Sequence, residues 1–447
     1  MAEPFSLTRE QFADLLDVLG APVHLEISAE RQDLLRFGAS RVTYQHSEER
    51  LTVRTKLIRN GRAVWGTLGS LDHAKIAALR DRLEAVMAHL PISEEENVLL
   101  EPAAGRRAAT TFFAATANAT AEDRVAQFTR AVQALPRGAT LGGSIVHSAT
   151  QHAVGNSRGV FHAETRTRAL AQFVGMLDGR SAYARQLNRD AAALDLAGAL
   201  ESVTRGLTPM PTRALAPGAY RAVLAPTAVI TLLATFAHIA LTGRAYSSGE
   251  STVAGRLGAR IANPTMNLVD DAGDAAGLPA TFDCEGVPKR RVELIQNGVL
   301  TGVVHNAKSA HAVGSSSTGH AVPPAWRFGA GPSPSHLLLA PGAHADDALL
   351  LECGDGLYIQ RVDYVRVVHP KQALVTGTTR DATRWIEKGR LAARVPQFRF
   401  SVRLDELLSS VAEVGNRREC GEMVFMESVV APALLVTQFP VDAVVQI

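Results

Sequence analysis

The stretch TAVITLLATFAHIALTGRAYSSGES, Thr227 to Ser251, carries the chain's one transmembrane candidate and sets a single histidine, His238, inside it. Its reading decides whether the chain crosses a bilayer or folds around a buried helix. The apolar window runs from Val223 to Leu241, but Pro226 sits near its start, and Thr227, Thr231, Thr235 and His238 interrupt it. The unbroken part is about 15 residues, where a span needs about 20. A buried helix with Pro226 or Thr227 near its N-terminus is therefore expected. His238 is then either a metal ligand or a core residue.

A ligand needs company. A zinc peptidase helix brings two imidazoles on neighbouring turns and a carboxylate that takes a proton from bound water. The chain has no H-E-x-x-H, and the next acidic residue after His238 is Glu250, about three turns on. An isolated histidine in an apolar helix reads as a core residue hydrogen-bonded through one ring nitrogen. His147 and His152 are five apart, so on a strand they face opposite sides and share no metal. His305, His311 and His320 lie in one stretch, with no carboxylate or cysteine to complete a ligand set. GSSSTGH, Gly314 to His320, has the makings of an anion-binding nest but lacks the lysine and spacing of a P-loop, and reads as a glycine-serine loop. No G-x-S-x-G elbow occurs. Arg417 and Arg418 lie close to Cys420 and would lower its pKa, but no base is placed beside it.

Bulk properties exclude several classes. The chain has 447 residues, 46% hydrophobic and 20% charged, enough for two or three soluble domains. A formal net charge of +2 argues for neither nucleic acid nor an anionic membrane. Three distant cysteines, Cys284, Cys353 and Cys420, build no disulfide framework, and the N-terminus shows no secretory pattern. Both point to the cytoplasm.

Outward from the central run, the chain alternates hairpins and helices. A helix is expected from Thr8, with Gln11 completing a capping box and Gly20 past its end. Asn60-Gly61 marks a hairpin, helices start at Asp72 and Thr120, and two strands meet at Asn156 to Gly159. A helix and the proline-rich connector GLTPMPTRALAPG (206–218) close the first half. Further hairpins are expected at Asn297-Gly298 and Lys388-Gly389, and a strand passing into a helix that ends near Gly415. The fold class is α+β: an N-terminal α/β domain (1–217) of antiparallel hairpins and helices, then a strand-rich domain (218–447).

FDCEGVPKRRVELIQNGVLTGVVHNAKSAHAVGSSSTGHA (282–321) resembles the signature of the TldD/PmbA family. The likeness rests on Phe282, Asp283, Glu285, Gly286, Val287, the Asn297-Gly298 turn, and Ser317 to Ala321. It continues in TGTTRDATRWIEKGRL (376–391) and VGNRRECGEMVFMESVVAPALLV (414–436), and the strand pair at 34–67 matches in pattern. The family comes as pairs. A TldD-type subunit holds zinc through an H-E-x-x-x-H helix and a later cysteine. A PmbA-type (TldE) subunit lacks the motif and joins it in a heterodimer that trims unfolded or modified peptides.

Counting back without gaps from Gly255 puts Ala234 and Ile239 where the two zinc histidines would stand and Thr235 where the glutamate would stand; Cys420 falls on the third ligand. The resemblance therefore implies a zinc-free, PmbA-type subunit with no catalytic or metal residues of its own, His238 as a core residue, zinc held by a TldD-type partner, and an extended peptide as substrate. Thr318, Gly319, His320, Trp326 and Arg327 are the expected substrate-contacting residues. The alternatives are a stand-alone thiol hydrolase using Cys420 with a loop histidine, and a non-hydrolytic binder of a peptide or small-molecule intermediate in a biosynthetic pathway.

Overall fold

The computed structural model describes residues 7–92, 98–103, 109–323, 331–423 and 426–444, and its architecture is α+β. Helix α1 (Arg9–Leu19) opens on the reciprocal Thr8–Gln11 capping box and stops at Gly20. Strands β1 (Val23–Gly38), β2 (Arg41–Arg59) and β3 (Arg62–Leu68) follow. The β2–β3 turn uses Asn60 and Gly61, both at positive φ (50° and 76°), as a type I′ hairpin requires. Then come α2 (His73–Met87), a single turn α3 (Ala114–Ala117), α4 (Ala121–Gln133), β4 (Thr140–Asn156), β5 (Phe161–Leu177), β6 (Arg180–Asn188) and α5 (Leu196–Gly206). The six strands form one antiparallel sheet in the order β3-β2-β1-β4-β5-β6.

Because side chains alternate along a strand, each face of this sheet has its own chemistry. One face carries Leu25, Ile27, Phe37, Ile145 and Phe173 beneath the helices, whose Phe12, Ile76, Phe128 and Val203 complete two apolar clusters. The reverse face carries Glu26, Arg54, His152, Glu164, Arg166 and Arg168, and it packs against the second half of the chain. There Glu164 accepts from the Thr281 N–H and hydroxyl, Arg168 pairs with Glu422, Arg166 faces Glu427, and Arg189 donates to the Leu278 and Pro279 carbonyls.

The second half begins with β7 (Gly218–Leu224), α6 (Pro226–Ala240) and α7 (Gly243–Ser247). It continues through β8 (Leu268–Asp270), β9 (Val292–Gln296), β10 (Val299–Leu300), α8 (Ala307–His311), β11 (Ala321–Val322), β12 (Gly331–Pro332), β13 (His336–Leu339) and α9 (Asp346–Cys353). Strands β14 (Gly356–Ile359), β15 (Arg361–His369), β16 (Leu374–Arg380), β17 (Arg384–Glu387), β18 (Arg390–Arg394) and β19 (Phe398–Arg403) precede α10 (Leu404–Ser409), and β20 (Val411–Met423), β21 (Met426–Val441) and β22 (Ala443–Val444) close the chain. Ten strands form a mixed sheet in the order β10-β9-β8-β13-β21-β7-β14-β17-β18, with β20 on β21; β15-β16-β19-β22 form a smaller sheet, and β11 and β12 pair with each other.

The apolar run that opened the sequence divides. Val223 and Leu224 belong to β7, and only Pro226 to Ala240 is helical. Helix α6 shares one apolar cluster with Leu224 and Leu434 of the large sheet and with Val375, Phe398 and Phe400 of the small one. A helix covered on two sides is apolar nearly all round without crossing a bilayer. No helix among the described residues is long and apolar enough to span one. A second difference lies at Val411 to Gly415, expected as helix but paired as strand with Leu434 to Val436 of β21.

Candidate functional site

Two cavities of about 560 and 540 Å³ flank the β11–β12 ladder. The first is walled by His238, Thr242, Arg244, Ser333 and Lys371, the second by Lys56, Trp65, Cys284, Glu285 and Lys308. Arg244, Val322, Gly331 and Pro332 belong to both, so the ladder and Arg244 are the partition between them.

Local structure fixes that partition. Thr242 caps α7 by accepting from the Ala245 N–H. Gly243 lies so near the His305 ring that an added Cβ would come within 2.2 Å of it, so only glycine lets α7 sit there. The next residue, Arg244, then runs its stem past Gly331 of β12 at van der Waals distance, a Cβ there meeting Arg244 Cδ at 3.7 Å. His238, in the last turn of α6, stands half-buried at the wall of the first cavity, its Nδ1 3.1 Å from the Ser333 hydroxyl. Burial and then the Arg244 charge hold its imidazole below the usual value, which favours the neutral ring. The expectation of a core histidine is corrected: α6 is apolar to its last turn, but its end faces open space.

Behind the ladder lies a buried polar frame. His320 donates from Nε2 to Asp270 Oδ1 at 2.9 Å, and its Nδ1 lies 2.9 Å from the Thr318 hydroxyl. Asp270 also accepts the Ser335 and His336 N–H groups at 2.6 and 3.0 Å. Burial would raise this carboxyl, but His320 holds it well below the carboxylate range. Asp283 accepts the Ala321 N–H at 2.8 Å, and Lys289 donates to the Gly319 carbonyl and the Ser335 hydroxyl. Gly319 sits at φ +77°, where a Cβ would lie 2.7 Å from Lys289 Cα. The frame therefore clamps the bases of both strands.

Thr318, Gly319 and His320 are thus brought together, but as this frame rather than as a wall. His320 is 1% exposed with both ring nitrogens engaged, so its side chain touches no open space. Direct substrate contact through His320 is corrected on that ground. Trp326 and Arg327 lie outside the described residues. Lys56, Arg244, Lys308 and Lys371, which do line the cavities, carried no motif; distant elements bring them together, and spacing gave no signal.

The positions matched to the TldD-type zinc ligands do not come together here. Ala234 is fully buried and has no donor atom, and Thr235 gives its hydroxyl to the Thr231 carbonyl. Cys420 lies across the sheet from α6. Val429 and Ala431 of β21 share the α6 cluster, whereas Val430 points the other way, with Cys420, Leu338 and Val269. Burial pushes the Cys420 thiol up to about 12, and the charges facing it are Arg185, Glu422 and Arg189, with no imidazole among them. Among the described residues no three His, Cys, Asp or Glu side chains converge as a metal set. The residues at these positions do not fit a zinc ion.

A family model for the PmbA/TldA metallopeptidase C-terminal domain matches residues 217–443, a little over half of the chain. The chain belongs to the PmbA/TldD family. A metalloprotease of Methanothermobacter thermautotrophicus is 28% identical over 193 residues, 41% of each chain. The metalloprotease PmbA of Escherichia coli O157:H7 is 25% identical over 205 residues, 44% of this chain and 42% of that protein. The match thus spans about two fifths of these relatives' length. TldE from Thermococcus kodakarensis shares the fold at TM-score 0.88 and 19% identity, covering 97% of this chain and 100% of that one. A candidate modulator of DNA gyrase from Thermotoga maritima does so at 0.83 and 20%, with the same coverage.

Proposed function

We propose that this chain is the zinc-free, TldE/PmbA-type subunit of a heterodimeric metallopeptidase, working in the cytoplasm with a TldD-type zinc subunit on unfolded or modified peptides. The observation that carries the reading is the emptied ligand set: Ala234 and Ile239 offer no donor atoms, and Cys420 lies on the opposite face of the sheet from α6. The likeness to a protein named TldE supports it. The chain's own contribution is the pair of cavities. A short ladder between two open spaces suits an extended peptide read through its main chain, and the His320–Asp270 frame holds that ladder rigid from behind.

The test is to purify the chain alone and co-expressed with a TldD-type subunit, then measure zinc by elemental mass analysis and hydrolysis of an unfolded peptide. The chain alone is expected to carry almost no zinc and to leave the peptide intact, and the pair to co-elute and cleave it. Hydrolysis by the chain alone, or about one zinc retained through gel filtration, would overturn the reading.

A further inference from the structure

The cavities around β11 and β12 are unevenly charged. Among the described lining residues, Lys56, Arg244, Lys308 and Lys371 stand beside the carboxylates of Glu250 and Glu285. Glu285 is already engaged, accepting the Ala307 N–H at 2.9 Å. Trp65, Val322 and Pro332 give the second cavity an apolar wall beside these charges.

Arg244 differs from the arginines held at the junction between the two halves of the chain. Arg166, Arg168, Arg189 and Arg384 are tied to carboxylates or carbonyls. Arg244 is exposed, and among the described residues its guanidinium makes no hydrogen bond or ion pair. Its stem is nevertheless fixed, lying along Gly331 on a helix whose seat requires Gly243. A positioned fork of N–H donors without an internal acceptor, at the junction of two cavities, is built to receive a planar anion from outside.

We propose that Arg244 is the anchor for a carboxylate of the bound peptide, so that the substrate class of this site is a short extended peptide with a free carboxylate at the β11–β12 partition. The inference rests on the peptide-chamber reading above and adds to it a fixed point that main-chain recognition lacks. The carboxylate is either the peptide's C-terminus or an acidic side chain, since both present the same two oxygens. Lys371 and Lys308 on the two sides favour its approach from either cavity.

Calorimetric titration of the full chain at low salt tests this with three probes: Ac-Ala-Val-Ala-Gly-Val-Ala as the free acid, its C-terminal amide, and an amide carrying an internal Glu. The free acid or the Glu-containing amide is expected to bind about tenfold more tightly than the plain amide. Whichever of the two shows the gain identifies the source of the carboxylate. Arg244→Gln should bring the ratio to about one without lowering the melting temperature, and Arg244→Lys should restore part of it, one ammonium replacing the fork. Equal binding of all three probes by the wild type, or a preference that survives Arg244→Gln, overturns the anchor and leaves the chamber reading standing. Binding of none of them overturns both.

Discussion

The two faces of the six-stranded sheet are both buried, yet by different physics. Leu25 and Glu26 are neighbours on β1 and point to opposite sides. Leu25, 0% exposed, joins the apolar cluster under α1 and α2. Glu26 accepts from His152 at 3.1 Å and from Arg54 at 2.6 Å on the face that meets the second half of the chain. Apolar burial is non-directional and tolerates small shifts. A hydrogen-bonded charge loses its compensation when displaced and is left with its desolvation cost. The helix-covered face therefore supplies cohesion, and the charged face fixes where the second half sits.

The difference can be broken most severely from the apolar side. Phe173 is fully buried and packs on Phe37, ring centroids 6.1 Å apart. Phe173→Ala should cost about 3–5 kcal/mol in urea unfolding, with no dependence on pH or salt. The charged face should give less. Glu26→Gln is expected to cost about 1.5–3 kcal/mol at neutral pH, since it weakens two charge-assisted bonds.

That second loss should depend on pH. Burial would raise the Glu26 carboxyl, but the His152 hydrogen bond and the Arg54 charge bring it down to about 2. A depressed carboxyl contributes stability that is present above its unfolded value of 4.5 and is lost as pH falls toward 2. The gap between variant and wild type should therefore close over that window. Burial also lowers His24 to about 4 and His336 to about 3, so the unfolded chain takes up protons first. Both proteins should thus begin to weaken below pH 6.5. A gap that stays constant from pH 7 to 3 would refute the contrast. The smallest effect should come from Arg168→Gln, because the Arg168–Glu422 pair is about a quarter exposed. A double-mutant cycle with Glu422→Gln should return about 0.2–1 kcal/mol, shrinking in salt.

Much of the fold was legible because its signals are local. Asn60-Gly61 and Asn297-Gly298 make their turns through positive φ at adjacent residues, which neighbours along the chain do not need to support. Thr8 and Gln11 cap α1 within one turn. Val411 to Gly415 was not legible. Its apolar pattern suits helix or strand, and the choice falls to β21, which supplies the hydrogen-bonding partner. The site divides the same way. The Thr318-Gly319-His320 motif was visible, but its role depends on Asp270, fifty residues earlier, and on the backbone of Ser335 and His336.

The sequence by itself determined that the chain is α+β, that a buried helix starts near Pro226 or Thr227, and, through the family resemblance, that the positions matched to zinc ligands lack two imidazoles and a glutamate. The first two follow from composition and hydrophobic period, which need no knowledge of what lies opposite, and the third from the family resemblance carried over residue by residue. Only the tertiary structure decided that His238 faces a cavity, that His320 is closed inside a frame, that Cys420 lies across the sheet from α6, and that Lys56, Arg244, Lys308 and Lys371 line the two cavities beside the β11–β12 ladder. Each of these depends on which strand faces which across the sheets, and that pairing is set by packing between segments far apart in the chain.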